Sequence, residues 1–154
     1  MSSLLSRPET VLLTGATSGI GAELRTRLLE RGHTVIAVAR RASCLAPTAG
    51  LHAVDVDLAD PDAVLRAAEA IRAAHPGLSL IVNCAAVQHA VPLTDPASRP
   101  ALLREEVAVN LLAPALLVQA LLPVLVGAGR GGIVNVSSGL AVFPKERAGL
   151  YPAT

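Results

Sequence analysis

Three glycines stand at positions 15, 19 and 21, within Thr14-Gly15-Ala16-Thr17-Ser18-Gly19-Ile20-Gly21. The apolar run Val11-Leu12-Leu13 precedes them, and a segment of helical periodicity follows. Glycines between a strand and a helix let the backbone turn sharply and come close to a pyrophosphate. The helix N-terminus then holds that anion through free N–H groups and the positive end of its dipole. The spacing is G-x-x-x-G-x-G, not the commoner G-x-G-x-x-G. It points to a dinucleotide, with Gly15, Thr17, Ser18, Gly19, Ile20 and Gly21 as its cradle.

The elements that must carry this bend can be read in order. Residues 11–14 form a first strand, and residues 20–31 a helix with Ile20, Leu24 and Leu28 on one face and Gly32 as its stop. Residues 34–39 are a continuous apolar strand, as in a parallel sheet covered on both faces. Residues 42–50 read as a loop or short broken helix, and 51–58 as a third strand. Asp60 before Pro61 signals a helix start, an N-cap carboxylate and then a proline at the first helical position. That helix runs to about residue 74, Pro76-Gly77 ends it, and residues 78–83 form a fourth strand. Residues 88–100 read as a loop, 101–126 as a long helix bent near Pro114, 127–132 as a glycine-rich turn and 133–137 as a fifth strand. Alternation of buried strands and helices predicts an α/β fold, a Rossmann-type doubly wound parallel sheet of about five strands.

Bulk properties exclude several function classes. With 52% hydrophobic and 16% charged residues, the chain has the composition of a folded core and not of a disordered segment. A net charge of +1, with Phe143 and Tyr151 as the only aromatic residues besides histidine, argues against nucleic acid as a partner. His33, His52, His75 and His89 are scattered without metal-ligand spacing, so no metal site is expected. Cys44 and Cys84 are far apart, which fits a reduced, cytoplasmic compartment. Residues 1–9 lack the apolar core of a secretory signal. Residues 107–126 are apolar apart from Asn110 and Gln119 and could span a bilayer by length. Pro114, Pro123 and the soluble α/β pattern favour a buried or interface helix, with no membrane span. Glu105 and Glu106 are adjacent and so point to different helix faces; a solvated helix end is the role expected of them.

Six segments in order resemble the short-chain dehydrogenase/reductase family: the glycine motif, Asp57-Leu58, Asn83-Cys84-Ala85-Ala86, Asn110-Leu111, Ile133-Val134-Asn135-Val136-Ser137-Ser138, and Tyr151. The segment Ser137-Ser138-Gly139-Leu140-Ala141-Val142-Phe143-Pro144 resembles its DltE-like branch. The resemblance implies a nicotinamide coenzyme and a small-molecule carbonyl or alcohol substrate. It also implies a homo-oligomer for a full-length form. Tyr151 would exchange a proton with the substrate oxygen, Ser138, thirteen residues earlier, would hydrogen-bond that oxygen, and Asn110 would help hold a proton-relay water. Asp57 would meet the adenine amino group and Leu58 line the adenine pocket. Asn83 would either contact the coenzyme or tie neighbouring strands, and Ala85 would line the cleft. Arg40 and Arg41 follow the second strand, where the adenosine ribose lies in such folds. Arginine there suits a 2′-phosphate, and Ala39 stands where NAD-preferring members carry Asp, so NADP is expected ahead of NAD.

Two departures from the family pattern matter. Cys84 and Ala86 replace an Asn and a Gly of the usual Asn-Asn-Ala-Gly, and a methyl at Ala86 obstructs close approach or positive φ. The family also places a lysine one helical turn after its tyrosine, and Tyr151-Pro152-Ala153-Thr154 stops one residue short of it. A free tyrosine has a pKa of about 10 and needs a cationic neighbour to serve as an acid or base near neutrality. The chain is therefore expected to be one NAD(P)-binding domain, residues 1–154, truncated at its C-terminus and weak or inactive in turnover alone. The alternative is a dinucleotide-binding module without catalysis, or the remnant of a truncated gene.

Overall fold

The computed structural model describes residues 7–95, 99–129 and 131–154; the first six residues of the polar start, residues 96–98 of the expected loop and residue 130 of the glycine-rich turn fall outside that description. Five parallel strands form one sheet: β1 (Thr10–Thr14), β2 (Thr34–Ala39), β3 (Leu51–Asp55), β4 (Leu78–Asn83) and β5 (Gly132–Asn135), in the order β3-β2-β1-β4-β5. The helices are α1 (Gly19–Glu30), α2 (Pro61–Ala74), α3 (Pro100–Val107) and α4 (Ala113–Gly127).

Alternation along β1 divides the core. Leu12 packs with residues of α2 and α4 on one face, while Val11 and Leu13 pack with Leu28 of α1 on the other. This is the expected doubly wound Rossmann-type arrangement. Its strand order reverses between β1 and β4, and a parallel sheet of this kind opens its ligand crevice there, beyond the carboxyl ends of the strands. The Asp60 side chain caps α2 as expected, accepting from the amides of Asp62 at 2.9 Å and Ala63 at 3.1 Å.

Two strands are shorter than expected. β3 stops at Asp55 because the chain turns: the Asp57 carboxylate accepts from the Ala59 amide at 3.0 Å, and the Asp57 carbonyl accepts from Asp60 at 3.1 Å. Asp57 therefore lies past the strand and does not close it. β5 ends at Asn135, with one further bond from the Val136 amide to the Asn83 carbonyl at 2.9 Å.

The long apolar helix is continuous from Pro100 to Gly127, and by length and composition it could cross a membrane. Here it lies on the sheet, with Val109, Ala113, Leu117, Leu121 and Leu125 buried and Leu111, Leu112, Leu122 and Val126 exposed. Its irregularity falls just before Pro114, as a widened π-type turn at Ala108–Leu112. In an unbroken α-helix the Pro114 ring would meet the Asn110 carbonyl four residues back. Widening lets Ala113 donate to Ala108 instead. Replacing Pro114 with Ala removes that constraint. The turn should then relax toward α-helix and rotate Asn110, and amide exchange should quicken at Val87, which Asn110 holds.

Candidate functional site: a dinucleotide cleft

The three glycines do different work. Gly15 has φ +71°, and a Cβ there would lie 2.8 Å from Ala85 Cα, so the turns after β1 and β4 touch backbone to backbone. Gly21 is buried, and a Cβ there would collide with the Gly15 carbonyl oxygen. Gly19 has φ +53° and open space where a side chain would be. Ser18 caps α1 in extended conformation, yet its hydroxyl makes no capping bond. Thr17, Ser18 and Gly19 are exposed, and so is Ile20, at 70%. The N-terminus of α1 thus begins beside the open space at Gly19, the geometry that receives an anion.

The strip that follows β4 has no strand structure, so its amides need other partners. Side chains from three separate elements accept them. Thr14 Oγ1 takes the amides of Cys84 and Ala85, each at 3.0 Å. Asn110 Oδ1 takes the Val87 amide at 2.8 Å, and its Nδ2 donates back to the Val87 carbonyl at 2.8 Å. Glu106 Oε1 takes the His89 amide at 2.6 Å. The expectation of a solvated Glu105–Glu106 pair is wrong for Glu106, which is 1% exposed. It is half-wrong for Glu105, whose Oε2 sits 3.0 Å from His89 Nε2. From the sequence, Thr14 carries no role and Glu106 only that of a solvated helix end. The buried stripe offered a signal: from Leu125 it runs back in steps of four to Val109, and one further step of three lands on Glu106.

The remaining candidates occupy the same end of the sheet. Asn83 Nδ2 donates to Asn135 Oδ1 at 2.8 Å, which ties β4 to β5. Cys84 is half-buried, and burial pushes its thiol up, so it acts as a small apolar filler. Ala86 is exposed, and no non-glycine among the described residues adopts positive φ, so its methyl group costs no backbone strain. Leu58 turns its side chain into the core, which leaves only its backbone for an adenine. Asp57 is exposed.

Arg40 and Arg41 are exposed at the end of β2. The short turn after them, Ala42–Cys44, is braced from β3: the Asp55 carboxylate accepts from the Ser43 amide at 2.7 Å and the Ser43 hydroxyl at 2.6 Å. Those bonds, the hydroxyl first, hold the Asp55 carboxyl below its ordinary value. Ser138 caps the turn Gly139–Ala141, accepting from the Leu140 amide at 3.2 Å. This turn packs against the one at Tyr151–Ala153. Asn110 reaches the latter too, donating to Thr154 Oγ1 at 3.0 Å, which in turn donates to the Tyr151 carbonyl at 3.1 Å.

Comparison with known proteins agrees with this geometry. A family model described as short chain dehydrogenase matches residues 9–154, and the chain belongs to that family. It is 33% identical over 149 residues to an uncharacterized oxidoreductase, DltE, of Bacillus subtilis strain 168, covering 94% of this chain and 59% of the relative. The chain thus spans about three fifths of that relative's length. Among solved structures, a metagenomic short-chain oxidoreductase in complex with NADP superposes with a TM-score of 0.84 and 32% identity, over 94% of this chain and 69% of that one. A 3-ketoacyl-(acyl-carrier-protein) reductase from Brucella melitensis complexed with NADH gives 0.84 and 27%, over 94% and 63%. The chain is therefore of an oxidoreductase family whose members bind nicotinamide coenzymes.

Replacing Thr14 with Val keeps the shape and removes the acceptor of two amides. Urea denaturation should show a loss of about 2 kcal/mol. The Ser43 amide should report the Asp55 titration by NMR, with a midpoint below the ordinary aspartate value. Because the folded value is the lower one, the brace contributes above the ordinary value and is lost as pH falls through the depressed one. Ser43→Ala should move the Asp55 midpoint back up.

Proposed function

We propose that this chain serves an NADP-dependent oxidoreductase that moves hydride between the nicotinamide and the carbonyl or hydroxyl of a small molecule. The observation that carries the reading is the open space at Gly19 at the N-terminus of α1, with Arg40 and Arg41 at the end of the neighbouring strand. The residues present fit a dinucleotide. Gly15, Thr17, Ser18, Gly19, Ile20 and Gly21 would hold the diphosphate, and Arg40 and Arg41 a 2′-phosphate. Asp57, the backbone at Leu58, Asn83 and Ala85 would line the rest of the cleft. A bound coenzyme would supply the hydride.

The chain's own part is proton handling and orientation. Tyr151 would donate a proton to the carbonyl oxygen in reduction and accept one in oxidation. Ser138 would hydrogen-bond the same oxygen and stabilise its developing charge. Asn110 keeps the β4 strip and the Tyr151 turn in register, and it would hold a relay water. Val142 and Phe143, 72% and 78% exposed beyond Ser138, favour a substrate with an apolar portion. The reading extends to one NAD(P)-binding domain, to homo-oligomers of the full-length form and to the reducing cytoplasm, where the unpaired Cys44 and Cys84 are at home.

Calorimetry with the purified chain tests this. NADPH should bind at least about tenfold more tightly than NADH, since charge-assisted hydrogen bonds contribute roughly 1.5–3 kcal/mol. The double change Arg40→Ala, Arg41→Ala should erase that difference. Gly19→Val should abolish binding of both, since it strains a left-handed backbone and fills the ligand's space. No heat from either coenzyme would sink the reading.

A further inference from the structure

Glu106 is the third acceptor of the strip after β4 and the least expected one. Its side chain is buried on the core face of α3, and Oε1 holds the His89 amide at 2.6 Å. Oε2 is buried and, among the described residues, has no hydrogen-bond partner. Removing Oε1 would leave the His89 amide without its acceptor, so Glu106 contributes to stability as well as to the placement of the strip.

What it holds lies between the cleft and the tyrosine. The strip leaves Ala85, which touches Gly15 of the glycine bend, and reaches His89 and Val91. A Cβ at Gly149 would lie 2.9 Å from the Val91 carbonyl oxygen and 3.5 Å from that of His89. The backbone two residues before Tyr151 thus rests directly on the strip. Glu105 secures the same point from its other side through the His89 ring, at 3.0 Å. Asn110, one helical turn after Glu106, clamps Val87 and reaches the Tyr151 turn through Thr154.

We propose that Glu106 is a positioning residue: by holding the His89 amide it fixes residues 87–91 as the platform for Gly149 and the Tyr151 turn, and so sets where the tyrosine stands relative to the dinucleotide cleft. The proposal rests on the oxidoreductase reading for its functional meaning. Its geometric part stands by itself.

The chain carries one tyrosine and no tryptophan, so its tyrosine fluorescence reports Tyr151 alone. Glu106→Leu removes the acceptor and keeps the site apolar. The thermal midpoint should fall modestly, and His89 amide exchange should quicken about tenfold or more, as for a lost hydrogen bond. Quenching of Tyr151 fluorescence by acrylamide should increase, and NADPH should bind several-fold more weakly. Glu106→Gln keeps an acceptor oxygen and should restore all three readouts to within about twofold of the parent. Should Glu106→Leu fail to fold, His89→Pro removes the donor instead and should reproduce the Tyr151 change. Unaltered Tyr151 quenching in a folded Glu106→Leu or His89→Pro chain overturns the proposal, as does a Glu106→Gln chain no better than Glu106→Leu. If the parent chain binds neither coenzyme, the oxidoreductase reading falls, and the exchange and quenching arms still decide the positioning role.

Discussion

A stretch of backbone that leaves a sheet must find acceptors for its N–H groups or stay in water. Residues 84–89 leave β4 at the crevice of the sheet, and four of their amides end on side chains from β1, α3 and the widened turn. Among the described residues the strip joins no strand ladder, so side chains take its amides instead. The arrangement makes one loop the meeting point of the first strand and the long helix, elements far apart in sequence. The close contact of Gly15 with Ala85, the clamp on Val87 and the seat beneath Gly149 all depend on it.

Sheet and helices were largely legible in the sequence because periodicity and capping are local. β1, β2, β4 and α2 follow from apolar runs, Pro76-Gly77 and the Asp60-Pro61 pair. Misjudged edges lay where side chains bend the chain back, as Asp57 does by holding the Ala59 amide. Glycine spacing disclosed the bend but not its division of labour. Only three-dimensional contact distinguishes a glycine pressed on another backbone from one facing empty space. Glu106 was misread because adjacency on a helix was weighed and the stripe leading back to it was not. Thr14 was passed over because nothing local marks a threonine that will accept two amides from residues seventy positions away.

The long helix shows the same limit in another form. Its composition suits a bilayer as well as a protein core, and hydropathy alone cannot separate the two. In the structure one side of the helix packs against the sheet, and the other carries Leu111, Leu122 and Val126 outward. Family membership fits a helix packed on a parallel sheet.

The widened turn at Ala108–Leu112 has a further bearing on how this chain can change over evolution. Each residue in an α-helix turns the backbone by about 100°. An insertion of one further residue in that turn would leave α4 seated by its leucines and swing α3 around the shared axis. Glu106 would then leave the core face, and a neighbour would take its place under the strip. Substitutions should accumulate freely on the outer face of this helix, whereas insertions between Val107 and Ala113 should be selected against even where every side chain is conserved.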